Sequence, residues 1–171
     1  MRLFSAFVLP EPVVDHLSGW LAGHIAGLPP ELRWTPVPRW HVTLGFFGDG
    51  DDPVRRTAWL RRRAEGRPAP RLRLAGGGTF PGVLWAGVST ADERLLAQLA
   101  RAAGAGRRGY RPHLTLARWR SGEPDKAVLV AALAGYTGPW FMPDAVSLMR
   151  SEPGPGAPTY TTVERLPLAR A

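Results

Sequence analysis

Short apolar runs separated by glycine and proline set the pattern of this chain. The opening run Arg2–Leu9 (RLFSAFVL), rich in Phe, Val and Leu, predicts a strand. From Pro12 to about Ala26, Val13, Leu17, Trp20, Leu21 and Ile25 recur near helical spacing and predict a helix. Leu32–Thr35 is a candidate short strand, and Trp40–Phe47 (WHVTLGFF) a clear one, stopped by Gly48-Asp49-Gly50. Pro53–Glu65 reads as an Arg-rich helix with proline in its first turn. Arg71–Leu74 and Val83–Val88 read as strands, joined through Gly76–Gly78 and Phe80-Pro81-Gly82 read as turns. Thr90-Ala91-Asp92-Glu93 has the form of a capping box, opening a helix that runs to about Ala103. His113–Trp119 follows as a strand and Pro124–Ala134 as a helix. Phe141–Arg150 and Thr159–Leu166 form a final antiparallel pair across the loop Glu152–Pro158. Seven or eight strands and four helices in mixed order indicate an α+β class rather than a doubly wound parallel sheet.

Composition narrows this further. A chain of 171 residues, 44% hydrophobic and 21% charged, is long enough to bury one core and too apolar for wholesale disorder. Lys+Arg minus Asp+Glu is 22 − 14 = +8, which suits a polyanionic partner. Lys126 is the only lysine, so a genome that writes Arg for Lys accounts for the surplus equally well. The absence of cysteine excludes disulfides, zinc-thiolate sites and cysteine nucleophiles. The first nine residues are too short for a signal sequence, and Leu74–Ala91 and Ala127–Pro143 are too broken by Gly and Pro to span a membrane. The expectation is a soluble, cytoplasmic monomer.

The chemistry sits in a repeat. His41-Val42-Thr43-Leu44 and His113-Leu114-Thr115-Leu116 are the same tetrapeptide, 72 residues apart, each after a Pro/Arg turn and each ending near an aromatic residue. Alternation along a strand puts His41 and Thr43 on one face and Val42 and Leu44 on the other, and likewise His113 and Thr115 against Leu114 and Leu116. Where two such lobes meet, two imidazoles and two hydroxyls converge. That set suits phosphoryl chemistry without a metal. A neutral histidine takes a proton from water, a protonated one gives a proton to the departing oxygen, and the threonine hydroxyls hold phosphate oxygens. Arg39 and Arg111 fall in phase with the histidines at i−2 and are candidates for phosphate or RNA backbone. Among Phe46, Phe47, Phe80 and Trp119, Phe80 in its turn is the preferred candidate for stacking a terminal base.

The paired H-x-T-L motifs resemble those of the two-histidine (2H) phosphoesterase superfamily, and more closely the LigT/ThpR family of RNA 2′,3′-cyclic phosphodiesterases, also called 2′-5′ RNA ligases. The opening RLFSAFVLP, WHVTLGFFGD, TFP…VLWAGV, RPHLTLARW and a closing Tyr–x₅–Leu-Pro-Leu stand in family order over nearly the whole chain. The resemblance implies a LigT-like domain over residues 1–171 with two intertwined lobes related by a pseudo-twofold. Two antiparallel sheets would flank a central cleft, with helices outside and one H-x-T-L motif from each lobe. It implies hydrolysis of an RNA terminal 2′,3′-cyclic phosphate to a 2′-phosphate, with no metal and no cofactor. By it His41 is the acid, His113 the base, and Thr43 and Thr115 the phosphate contacts, while Arg118 of T-L-A-R helps to bind substrate. Strict alternation places Arg118 opposite His113, so a bulge or the strand end must turn it inward. Arg39 departs from the small polar residue common at that position in the family.

Two other readings stay open: a non-catalytic RNA-binding module, or a relative acting on 2′-5′ oligoadenylate or a small cyclic nucleotide. His16 and His24 read as surface residues of the first helix, and Gly76–Gly78 lacks the Gly-Lys-Ser/Thr of a phosphate loop. Arg107 and Arg108 sit in a glycine-rich connection ahead of the second motif, read as solvated, and Arg55, Arg56 and Arg61–Arg63 as the wet face of a helix.

Overall fold

The computed structural model describes residues 1–106, 109–155 and 157–170. The strands are β1 Arg2–Val8, β2 Arg33–Trp34, β3 His41–Asp49, β4 Leu72–Phe80, β5 Val83–Thr90, β6 His113–Arg118, β7 Ala145–Glu152 and β8 Thr159–Pro167. The helices are α1 Glu11–His24, α2 Pro53–Ala64, α3 Glu93–Ala102 and α4 Lys126–Ala134, with a 3₁₀ turn at Val37–Arg39. β7 begins at Ala145 rather than Phe141, and two helices start later than the sequence predicts. Asp92, not Thr90, caps α3 by accepting from the Leu95 amide, and Asp125 caps α4, which therefore begins after Pro124.

The two expected sheets are one. Eight antiparallel strands run in the order β4-β5-β6-β3-β1-β7-β8, with β2 paired to β6. β6 and β3 lie side by side at its centre and share one registered pair, Val42 opposite Leu114. The halves β4-β5-β6 and β3-β1-β7-β8 thus meet edge to edge. The physical reason is that both motif strands carry an unpaired edge, and pairing them satisfies backbone groups that two separate sheets would leave open.

One cluster contains Val42, Leu44, Leu114 and Leu116 together with Leu17 of α1, Leu60 of α2, Leu99 of α3 and Leu129 of α4. Every helix therefore contributes to the core on one face of the sheet. Burying each of those leucines stabilises by about 1.5–3 kcal/mol. A slip of one residue would turn the imidazoles and hydroxyls of the motifs into that core, so burial itself fixes the register.

Gly76–Gly78 is not a turn but part of β4, which continues to Phe80. A Cβ at Gly77 would collide with the Leu133 side chain, and one at Gly78 with the Trp85 ring. The glycines make room for α4 below and an indole above. Gly45, just after the first motif, plays a similar part. A Cβ there would collide with the Gly104 backbone, where the chain leaves α3. The buried Ser5 hydroxyl donates to the neighbouring Ala103 carbonyl at 2.5 Å. The end of α3 is thereby held against β1 and β3. Gly45→Ala is expected to cost about 1–3 kcal/mol, read as a Tm lower by roughly 2–12 °C in thermal unfolding; an unchanged Tm would show that this contact is loose.

Candidate active site

His41, Thr43, His113 and Thr115 are all half-buried, while Val42, Leu44, Leu114 and Leu116 are buried. Antiparallel counting outward from Val42 and Leu114 sets His41 opposite Thr115 and Thr43 opposite His113. Cross-strand neighbours stand about 4.5–5.5 Å apart and diagonal ones about 7–8 Å. The two imidazoles therefore occupy one diagonal of a four-residue array and the two hydroxyls the other.

Each imidazole is fixed in the same way. The Nδ1–H of His41 donates to the Arg39 carbonyl at 2.7 Å, and that of His113 to the Arg111 carbonyl at 2.8 Å. A carbonyl only accepts, so Nδ1 must carry the proton in both rings, and Nε2 is left to take or give one. The aromatic walls repeat as well. Phe4 lies 5.0 Å and Tyr160 5.4 Å from the His41 ring centroid, and Phe80 lies 5.0 Å and Trp85 6.2 Å from that of His113. The guanidinium of Arg39 stands 5.0 Å from the Tyr160 ring and that of Arg111 5.7 Å from the Trp85 ring. Gly78 is what lets Trp85 lie against β4 and reach His113.

Arg118 turns to the histidine face by a bulge. Trp85 pairs with Thr115 but Leu84 with Ala117, so Leu116 is an extra residue in β6 and Arg118, opposite Val83, regains the phase of His113. The first motif has the same irregularity. Ala6 pairs with Thr43 but Ser5 with Gly45, which makes Leu44 the extra residue and puts Phe46 opposite Phe4 on the histidine face. Phe46 and Arg118 thus hold the same position, five residues after their histidines. Phe46 is 74% exposed. Phe80 instead stands edge-on to His113 at 87°, which suits it to orient the ring. Phe47 packs on Trp59, and Trp119 packs against the core. Arg39 has a buried Nε without a hydrogen-bond partner among the described residues. His16 meets the Tyr136 hydroxyl, and His24 stacks on Trp20, both away from the motifs. Arg107 and Arg108 lie outside the described residues.

Three contributors were missed by the sequence reading. Arg33 on β2 sits directly opposite Arg118. Two like charges in register repel each other, a strain that an anion between them relieves. Tyr110, in the approach to β6, donates its buried hydroxyl to the Thr43 carbonyl at 2.9 Å and so ties the two motifs together; burial pushes its phenol pKa upward. Tyr160 reaches His41 from β8. Only the closing Tyr–x₅–Leu-Pro-Leu pattern hinted at that tyrosine, and nothing local marked the other two.

Burial holds the His41 pKa below the ordinary imidazole value of 6.5. Its hydrogen bond to the Arg39 carbonyl opposes this, while the charges of His113, Arg39 and Arg118 add to the lowering. No helix among the described residues is long and apolar enough to cross a membrane.

The chain matches the family model for the 2′-5′ RNA ligase superfamily over residues 11–155. It is 30% identical to an RNA 2′,3′-cyclic phosphodiesterase of Methanothermobacter thermautotrophicus, over 96% of this chain and 97% of the relative. It is 30% identical to another of that name from Thermus thermophilus, over 98% and 90%. A solved structure from Thermus thermophilus aligns with TM-score 0.73 at 26% identity, over 98% of this chain and 97% of the other. E. coli LigT complexed with 3′-AMP aligns with TM-score 0.74 at 23% identity over the same shares, a likeness of fold.

Two outcomes are expected by ¹⁵N NMR of the free protein. Both motif histidines, when neutral, carry their proton on Nδ1, and His41 titrates below 6.5. A neutral Nε2–H form at either position would contradict the carbonyl contacts.

Proposed function

This chain belongs to the 2′-5′ RNA ligase superfamily, and on that premise we propose that it hydrolyses the 2′,3′-cyclic phosphate at an RNA end to a 2′-phosphate, without a metal, through His41 and His113. The observation that carries this reading is the diagonal pair of imidazoles, each with Nδ1 committed to a carbonyl and Nε2 without a hydrogen-bond partner among the described residues. The name shared by the two curated relatives supports it.

In the reaction, Nε2 of neutral His113 takes a proton from water as the water oxygen bonds to phosphorus. The P–O3′ bond breaks, and Nε2–H of protonated His41 gives its proton to the departing O3′. The products are a 2′-phosphomonoester and a free 3′-hydroxyl, with the two histidines in exchanged protonation states that solvent resets. Thr43 and Thr115 donate to the non-bridging oxygens as charge gathers on them, and Arg118, beside Arg33, neutralises it. Phe46, exposed beside the cleft, offers its ring to the terminal base. The chain works as one unit of two related lobes, each supplying one H-x-T-L motif.

His41→Ala and His113→Ala are each expected to lower kcat on an oligonucleotide ending in 2′,3′-cyclic phosphate by about 10²–10⁴-fold, with RNA binding retained and EDTA without effect. Near-wild-type kcat in either variant would overturn the paired proton transfer, and a wild type that binds without turnover would favour the non-catalytic module.

The pH dependence follows from His41. In the free protein its lowered pKa means that the acid form is lost as pH rises through a value below 6.5, so kcat/KM falls there. A bound phosphate anion raises the imidazole again, so kcat persists to higher pH. Coincident alkaline limbs in the two profiles would remove His41 from the acid role.

A further inference from the structure

We infer that the single-stranded RNA leading to the cyclic end lies along a basic groove that starts beside His41 and ends on Trp140; this rests on the function proposed above. The groove consists of two adjoining cavities. The first, of about 410 Å³, is lined by Val8, Ser147, Thr162 and Arg165, and also by Met142 and Arg170. The second, of about 350 Å³, shares Met142 and Arg170 and reaches Arg71 and Trp140. Val8 is the β1 residue paired with His41. Side chains of a cross-strand pair share a face, so the groove begins next to the reacting group. Ser147 is paired with Ala6, and Arg165 with Ser147, which continues the same face across β7 and β8.

Charge and aromatic surface identify the occupant. Asp144, the one carboxylate in the groove among the described residues, is already paired with Arg165 at 2.5 Å. Arg71, Arg73 and Arg170 form no ion pair among the described residues, so within those residues the far end carries positive charge without a carboxylate beside it. There the guanidiniums of Arg73 and Arg71 stand 4.6 Å and 5.1 Å from the Trp140 ring, and the residue is still 37% exposed. The Arg73 Nε is buried without a partner among the described residues, so its charge is held in place at a desolvation cost that an anion would relieve. Guanidiniums spaced along a groove with a part-exposed indole at its end suit phosphates with one unstacked base between them. That is the requirement of single-stranded RNA. A duplex hides its base faces, and a bare polyanion has no use for the indole.

The test uses the whole protein and two substrates: a 2′,3′-cyclic mononucleotide, which reaches only the catalytic pair, and a cyclic-ended RNA of about ten nucleotides. In Trp140→Ala and in Arg71→Ala/Arg170→Ala, kcat/KM on the oligonucleotide is expected to fall by about tenfold, mainly through KM. Turnover of the mononucleotide is expected to hold within about twofold. Trp140→Phe restores most of the loss. The double variant also lowers the salt slope of oligonucleotide binding by about 1.4, since each phosphate contact contributes roughly 0.7 on a single strand. Equal losses on both substrates, or none on the oligonucleotide, would overturn the groove. Fluorescence anisotropy with the 2′-phosphate product RNA reads binding without catalysis. A wild type that turns over neither substrate, while the variants still lose anisotropy binding, would remove the enzymatic reading and leave the groove standing.

Discussion

The site depends on one backbone contact, the pairing of Val42 with Leu114 where β3 meets β6. Two histidines 72 residues apart in the chain have no local reason to face one another. Antiparallel register at that single point puts both on one side of the sheet and both leucine-rich strand faces on the other. The core then keeps the register, because any slip would exchange buried aliphatic groups for imidazoles. The geometry of the proposed catalytic pair is thus a by-product of hydrophobic packing on the far face. Contacts that hold β3 and β6 together, such as Tyr110 on the Thr43 carbonyl and α3 against Gly45, contribute to it from a distance.

The two halves repeat more than the tetrapeptide. Each has its histidine tied to the carbonyl two residues before it, an aromatic pair around the ring, an arginine over one of those aromatics, and a bulge at the leucine after the threonine. The repetition is physical as well as sequential. The carbonyl contact selects the tautomer, and the aromatics limit how far each ring can turn. Around His41, burial and the nearby guanidiniums of Arg39 and Arg118 disfavour its charge until an anion arrives.

Much of this was legible in the sequence. Strand and helix identities followed from apolar periodicity, and the motif face followed from alternation, because both depend on neighbours a few residues away. Arg118 was legible only conditionally: the family resemblance suggested a role, its phase forbade it, and the bulge at Leu116 resolved the conflict. The glycines at 76–78 misled, since a glycine permitting a turn and a glycine making room for Leu133 and Trp85 look alike in one dimension. Two sheets were expected where one was found, because the joining of β3 to β6 is a long-range edge contact with no local signature. Arg33 and Tyr110 were missed for the same reason. The family relationship, visible in the paired motifs, agrees with the match over residues 11–155.

Equivalent positions holding Phe46 in one half and Arg118 in the other have a consequence for orientation. A perfectly repeated cradle would receive a nucleotide equally well in two opposed directions, and half of all encounters would present the wrong oxygen to the acid. An oily ring on one flank and a cation on the other make those directions unequal. On the proposed function, the chain's own departure from symmetry would give the bound RNA a polarity before any proton moves.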